Sequence, residues 1–116
     1  MEKLTNDQIE AKAAELSTSK GNEVTPIVFT TDKGEQIIGY FQTPEYDILM
    51  YATDCYIAKE ISKAAEATLR NCLIAEESDP RITSTSRNDA KIKASFANAC
   101  MKMITPYVDE YKKKHI

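Results

Sequence analysis

Covalent or metal chemistry in this chain would have to come from Cys55, Cys72, Cys100 and His115, the side chains best suited to act as nucleophile, base or soft ligand. Hydrolysis by a Ser/His/Asp or Cys/His relay needs an imidazole held in a pocket beside the nucleophile. The only histidine is next to last among 116 residues, where chains are least tethered. A zinc site needs about four Cys, His or carboxylate ligands at workable spacing, and the three thiols here stand far apart with no C-x-x-C pair. Their odd number also argues against a disulfide framework. Each falls in a helical apolar stripe, with Ile48, Leu69 or Phe96 nearby, where a free thiol packs as a small hydrophobe. Glu76, Glu77 and Asp79 cluster without the alternating spacing and turn glycine of a calcium loop, and read as a solvated connection. Gly21, Gly34 and Gly39 are too dispersed for a phosphate cradle. The expectation is a chain with no catalytic residue, no metal ligand and no cofactor.

Charge excludes further classes. With 15 basic and 18 acidic residues the net charge is −3, so the whole-protein field does not favour nucleic acid. The one basic run, Lys112-Lys113-Lys114-His115, suits the solvated end of a helix, where cations complement the dipole. No apolar stretch approaches the roughly 20 residues needed to span a bilayer, and the first ten residues lack an apolar leader core. A cytoplasmic protein without membrane or nucleic-acid partners is expected.

The aromatic residues are more informative. Tyr40, Phe41, Tyr46, Tyr51 and Tyr56 crowd one short stretch, with Met50 among them. They either fill the junction of a hairpin and a helix, or stay partly exposed as a protein-binding surface, which tyrosine, phenylalanine and methionine favour. RNA stacking is disfavoured because no basic residues are interleaved.

The elements that must position these residues are legible. Thr5 as N-cap and Gln8 three residues later form a capping box, with Leu4 and Ile9 at the staple positions. Ile9, Ala13 and Leu16 then make a narrow stripe over a helix of about residues 5–17, which suggests a loosely docked arm. Residues 27–31 and 37–41 are β-rich and flank Asp32-Lys33-Gly34-Glu35, a hairpin connection. Pro26 belongs at the strand start or on an edge. Thr43, Pro44 and Glu45 read as N-cap, N1 proline and first-turn acid of the next helix. Residues 48–52 are apolar on every face, which calls for several neighbours or a partner. Helical patterning continues through Ile61, Ala65, Leu69 and Cys72 after a break near 57–60, and stops before Pro80. Thr85 or Ser86 opens a last helix with the stripe Ile92, Phe96, Cys100, Met103 and Tyr107, kinked or restarted at Pro106. The fold class is α+β: an N-terminal helix, one β-hairpin, then a bundle of two to four antiparallel helices. One domain over 1–116 is expected, with an arm and linker (1–22), the hairpin (23–42) and a helical part (43–116). A two-stranded hairpin leaves edges that invite pairing, and neither Pro26 nor Lys33 protects the second run. Together with the all-round apolar helix, this predicts a homo-oligomer or a bound partner using the region of Tyr40 to Tyr56.

The order of parts carries a likeness. A hairpin ending Gly39-Tyr40-Phe41-Gln42-Thr43-Pro44 leads into a Tyr/Ala-rich helix. Then come Ala67-Thr68-Leu69-Arg70-Asn71-Cys72-Leu73-Ile74, an acidic loop and a Lys-rich close. This resembles small tail-assembly-chaperone-like proteins of phage and prophage tail modules, particularly of Bacteroides-type hosts. The likeness runs from about residue 27 onward. Leu73 stands where that pattern has an aromatic residue, and Ala75-Glu76-Glu77-Ser78-Asp79 replaces its glycine-aspartate loop. The resemblance implies a non-enzymatic role in the host cytoplasm: binding tape-measure or tail-tube proteins and keeping them soluble during virion morphogenesis. The alternative it leaves is a small structural or adaptor protein that stays in the virion.

Overall fold

The computed structural model describes residues 3–105. Pro106, Tyr107 and the Lys112–His115 run lie outside the described residues. The element order is α1 (Asn6–Lys20), β1 (Val24–Thr30), β2 (Gln36–Gln42), α2 (Tyr46–Ile57), α3 (Ile61–Cys72) and α4 (Ala90–Ala99), with short 3-10 turns between α3 and α4 and after α4. The fold is mixed α+β and mostly helical, as the periodicity predicts.

The capping box forms: Gln8 N–H donates to Thr5 Oγ1 at 3.2 Å, and Thr5 N–H donates to Gln8 Oε1 at 2.8 Å. The helix runs three residues past the expected stop. Ser17 and Thr18 turn their hydroxyls back on the carbonyls of Ala13 and Ala14, and so remain helical. Gly21 ends it with φ of 75°, the left-handed conformation that costs glycine nothing. The expectation of a loose arm is corrected. Ile9, Ala13 and Leu16 are buried against Val24, Tyr40 and Ile74, and Lys12 and Lys20 pair with Glu77 and Glu76 at 3.0 and 3.2 Å.

β1 and β2 pair antiparallel from Val24↔Gln42 to Thr30↔Gln36. Gly34, with φ of 81°, turns the connecting loop. The hairpin is a central layer. Ile38 and Tyr40 face α1, whereas Ile37 and Phe41 face Leu69, Cys72, Ile82, Phe96 and Cys100. A strand sends alternate side chains to opposite faces, so two covering layers bury β2 almost completely. Gly39 completes that fit. A Cβ there would meet Phe41 Cε1 at 2.8 Å, Ile82 Cδ1 at 2.9 Å and Phe96 Cε1 at 3.0 Å.

The outer edge of β2 is closed, which corrects the expectation that nothing protects it. Ile74 N–H donates to Tyr40 O (2.8 Å), Asp79 N–H to Ile38 O (3.0 Å) and Tyr40 N–H to Ser78 Oγ (2.9 Å). The acidic connection is therefore a strap along the sheet edge and not a free solvated loop. Asp79 caps the Pro80–Ile82 turn and holds Arg81 through two oxygens, at 3.0 and 2.9 Å. The N–H of Tyr40 points away from β1, so its pairing partner Pro26 sits where no ladder bond is asked of it.

Two further corrections concern α2. Its N-cap is Glu45, without a side-chain bond; Thr43 instead donates its hydroxyl to Glu23 O at 3.1 Å, fastening the base of the hairpin. Residues 48–52 are not enclosed by several neighbours within the chain, because α2 packs chiefly on α3, which leaves the alternative of a partner. The break after α2 falls where expected: Lys59, at φ of 65°, reverses the chain between the two helices. Ser86 accepts the Asn88 N–H and opens the turn that leads into α4.

Candidate protein-docking surface

α2 meets the rest of the protein through small side chains. Ala52 and Cys55 are buried against Ala64 and Ile104, with Leu49 half-buried beside them. A second side of the helix carries large apolar residues, with Thr53 among them. Tyr46, Met50, Thr53 and Ile57 recur at i, i+4, i+7 and i+11, which places them within about 60° of one another around the axis. Tyr46 is 72% exposed, Met50 43% and Ile57 73%. Tyr51 and Tyr56 lie exposed on the two flanks at 50% and 59%, and Ile61 extends the patch across the turn at 49%. Isolated exposed hydrophobes are ordinary on a protein surface, whereas Tyr46, Met50 and Ile57 recur along one side of one helix, the pattern of a candidate contact site. Asp47 and Asp54 border the stripe and form no ion pair among the described residues.

Of the residues singled out in sequence, Tyr46 and Met50 share this stripe, and Tyr51 and Tyr56 are exposed on either side of it, about 140° apart around the helix axis. Tyr40 and Phe41 do neither, and are removed from the docking set. Phe41 is fully buried and stacks on Phe96, ring centroids 6.2 Å apart. Tyr40 is buried under α1, with Lys12 Nζ 5.3 Å from its ring centroid, and desolvation pushes its phenol pKa up. β2 has a protein layer on each face, so neither ring can reach solvent. Ile57 and Ile61, which are not aromatic, belong to the exposed apolar surface too. The signal was present: Ile57 lies seven residues after Met50, on the same helical stripe.

Two concavities lie elsewhere. A cleft of about 560 Å³ sits between the hairpin tip and the start of α4, with Phe29, Ile37 and Ile92 among its apolar walls. Its guanidinium, Arg81, is already held by Asp79 and by Glu35 at 3.1 Å. A groove of about 650 Å³ runs between α3 and α4, lined largely by small side chains. All three cysteines are buried free thiols. Burial raises the pKa of Cys72 to about 11 and that of Cys100 to about 12, so both stay protonated and weakly nucleophilic at neutral pH. Among the described residues no group of three or more His, Cys, Asp or Glu could hold a metal ion, and no helix is long and apolar enough to cross a membrane.

Comparison with protein-family models, with curated proteins and with solved structures returns no match.

Proposed function

We propose that this chain is a non-enzymatic protein-binding module of the tail-assembly-chaperone type, working in the host cytoplasm, and that α2 is its client-facing helix. One observation carries the reading. Six of the nine large apolar residues exposed among the described residues (Tyr46, Met50, Tyr51, Tyr56, Ile57 and Ile61) lie on α2 or at the start of α3. Such a face suits the apolar stripe of an amphipathic client helix, the recognition mode in which anchors at i, i+3, i+4 and i+7 supply the affinity. Tyrosine and methionine contribute broad contact area, and methionine adapts to differing client surfaces. A long tape-measure protein offers many such helices, so weak contacts to single copies add up along it. The non-enzymatic part of the reading is supported by how the reactive groups are used: Arg81 is held by two acids, and the thiols of Cys72 and Cys100 are buried in protonated form.

Fluorescence anisotropy of labelled amphipathic peptides from phage tape-measure and tail-tube proteins tests the proposal. Saturable binding is expected, weakened about tenfold or more by Ile57→Glu and unchanged by Val28→Glu on the hairpin. Absence of binding, or binding indifferent to Ile57→Glu, would overturn it. Mass spectrometry of mature particles should not find the chain; its presence there would favour the virion-component alternative.

A further inference from the structure

The exposed stripe of α2 and the groove between α3 and α4 match each other in length, chemistry and charge. α2 has 12 residues, about 18 Å of helix, and the groove follows α4 and the first residues of the 3-10 turn after it over residues 90–101, also 12 residues and about 18 Å. Ala65, Leu69, Ala90, Ala94, Ala97 and Met101 line it, a shallow bed of small side chains with apolar ends. A bed of that kind admits large knobs such as Tyr46, Met50 and Ile57 between two helices.

Charge agrees with shape. Of the three charged residues on the groove wall, Glu66 pairs with Arg70 at 3.9 Å, whereas Arg87 and Lys93 form no ion pair among the described residues; nor do Asp47 and Asp54 beside the stripe. Each pair is separated by about 10 Å along its axis, seven residues of α-helix in one case and a 3-10 turn running into α4 in the other. The two surfaces also adjoin, because Ile57 closes α2 and Ile61 lies at the mouth of the groove.

We infer that a second copy of this chain covers this face by reciprocal docking, the α2 stripe of each copy lying in the α3–α4 groove of the other. Adjacent, complementary surfaces on one chain satisfy each other twice about a two-fold axis passing near Ile57 and Ile61, which closes the assembly at two copies. Reciprocity also supplies area. A single 12-residue helix falls short of the about 800 Å² that each partner of a stable pair buries, and using stripe and groove on both copies doubles the contact. Asp47 and Asp54 then face Arg87 and Lys93 of the other copy. The inference uses the same helix as the client reading but stands without it, because self-association is read with no client present.

Sedimentation equilibrium of the full chain at micromolar concentration is expected to give twice the chain mass. Ile57→Glu should return the monomer mass while leaving the far-ultraviolet circular dichroism unchanged. The decisive experiment exchanges the charges. Asp47→Lys/Asp54→Lys and Arg87→Glu/Lys93→Glu should each dimerise about tenfold or more weakly alone. Mixed one to one, they should form a heterodimer of near-parent affinity, because every basic helix then meets an acidic groove and every acidic helix a basic one. A monomeric parent chain would overturn the inference, the face then being left to a client or covered from within the chain. So would mass that keeps growing with concentration, which means open head-to-tail stacking, or charge variants that fail to rescue each other. A chain that dimerises as expected yet binds no client helix refutes the client reading alone. A monomer that binds clients refutes the dimer alone.

Discussion

β2 and α2 carry apolar runs of equal length, residues 37–41 and 48–52, and the tertiary structure treats them oppositely. Ile37, Tyr40 and Phe41 are all buried, whereas Met50 and Tyr51 are exposed. The difference lies in how many neighbours each geometry demands. A strand has two faces, and α1 on one side with α3 and α4 on the other covers both. A helix spreads five consecutive residues around the full circle. α2 is covered only along the side where Ala52 and Cys55 meet Ala64 and Ile104. Equal hydrophobicity therefore becomes core in one element and an unfilled surface in the other.

The sharpest way to break that contrast is to empty the core beside β2. Phe96 is fully buried, edge-on to Phe29 with centroids 5.0 Å apart and stacked on Phe41. Phe96→Ala should cost about 3–5 kcal/mol, and Leu69→Ala in the same cluster about 2–5 kcal/mol, read by chemical denaturation. Losses below about half a kilocalorie per mole would mean that this cluster does not carry the fold. Crowding tests the same place from the other direction. Gly39→Ala should destabilise by about 1–3 kcal/mol, because the added methyl meets two ring carbons and Ile82 within 3.0 Å.

The strap that closes β2 should respond to acid. Hydrogen bonds from Arg81, outweighing the opposing effect of burial, hold the Asp79 carboxyl below its ordinary range. A depressed folded-state pKa means the stabilisation is fully present above the unfolded value of about 3.9. It is lost as the pH falls from there through the folded pKa. Thermal melts of the parent between pH 5 and 2 should show that loss, and Asp79→Asn should flatten it while lowering stability at pH 7. An unchanged acid slope in Asp79→Asn would assign the loss to other carboxylates.

Two smaller effects sharpen the α2 side. Lys59 holds a left-handed conformation that costs a non-glycine residue about 1–2 kcal/mol. Lys59→Gly should therefore stabilise by about 0.5–1 kcal/mol, the remainder being spent on glycine's larger unfolded-state entropy. Tyr46→Ala should change the stability of the isolated subunit by no more than about 0.5 kcal/mol, since its side chain is largely in solvent. A large loss there, measured on the monomeric Ile57→Glu background, would place Tyr46 in the core and remove the contrast with β2.

Local patterning determined a good deal of this protein by itself. The capping box of α1, the hairpin turn at Gly34, the reversal between α2 and α3 and the Ser86 start before α4 each depend on a few adjacent residues, and each is readable without the rest of the fold. The stripes Ile9–Ala13–Leu16 and Phe96–Cys100 were legible for the same reason, being periodic within one helix. Only the tertiary structure decided that α1 is docked, its stripe buried against Val24, Tyr40 and Ile74 and its lysines paired with Glu76 and Glu77 more than fifty residues away, and that residues 74–79 seal the edge of β2. It alone separated Tyr40 and Phe41 from Tyr46, Met50, Tyr51 and Tyr56. Whether an aromatic side chain is core or surface depends on which distant elements cover its face, and spacing along one segment holds no record of them.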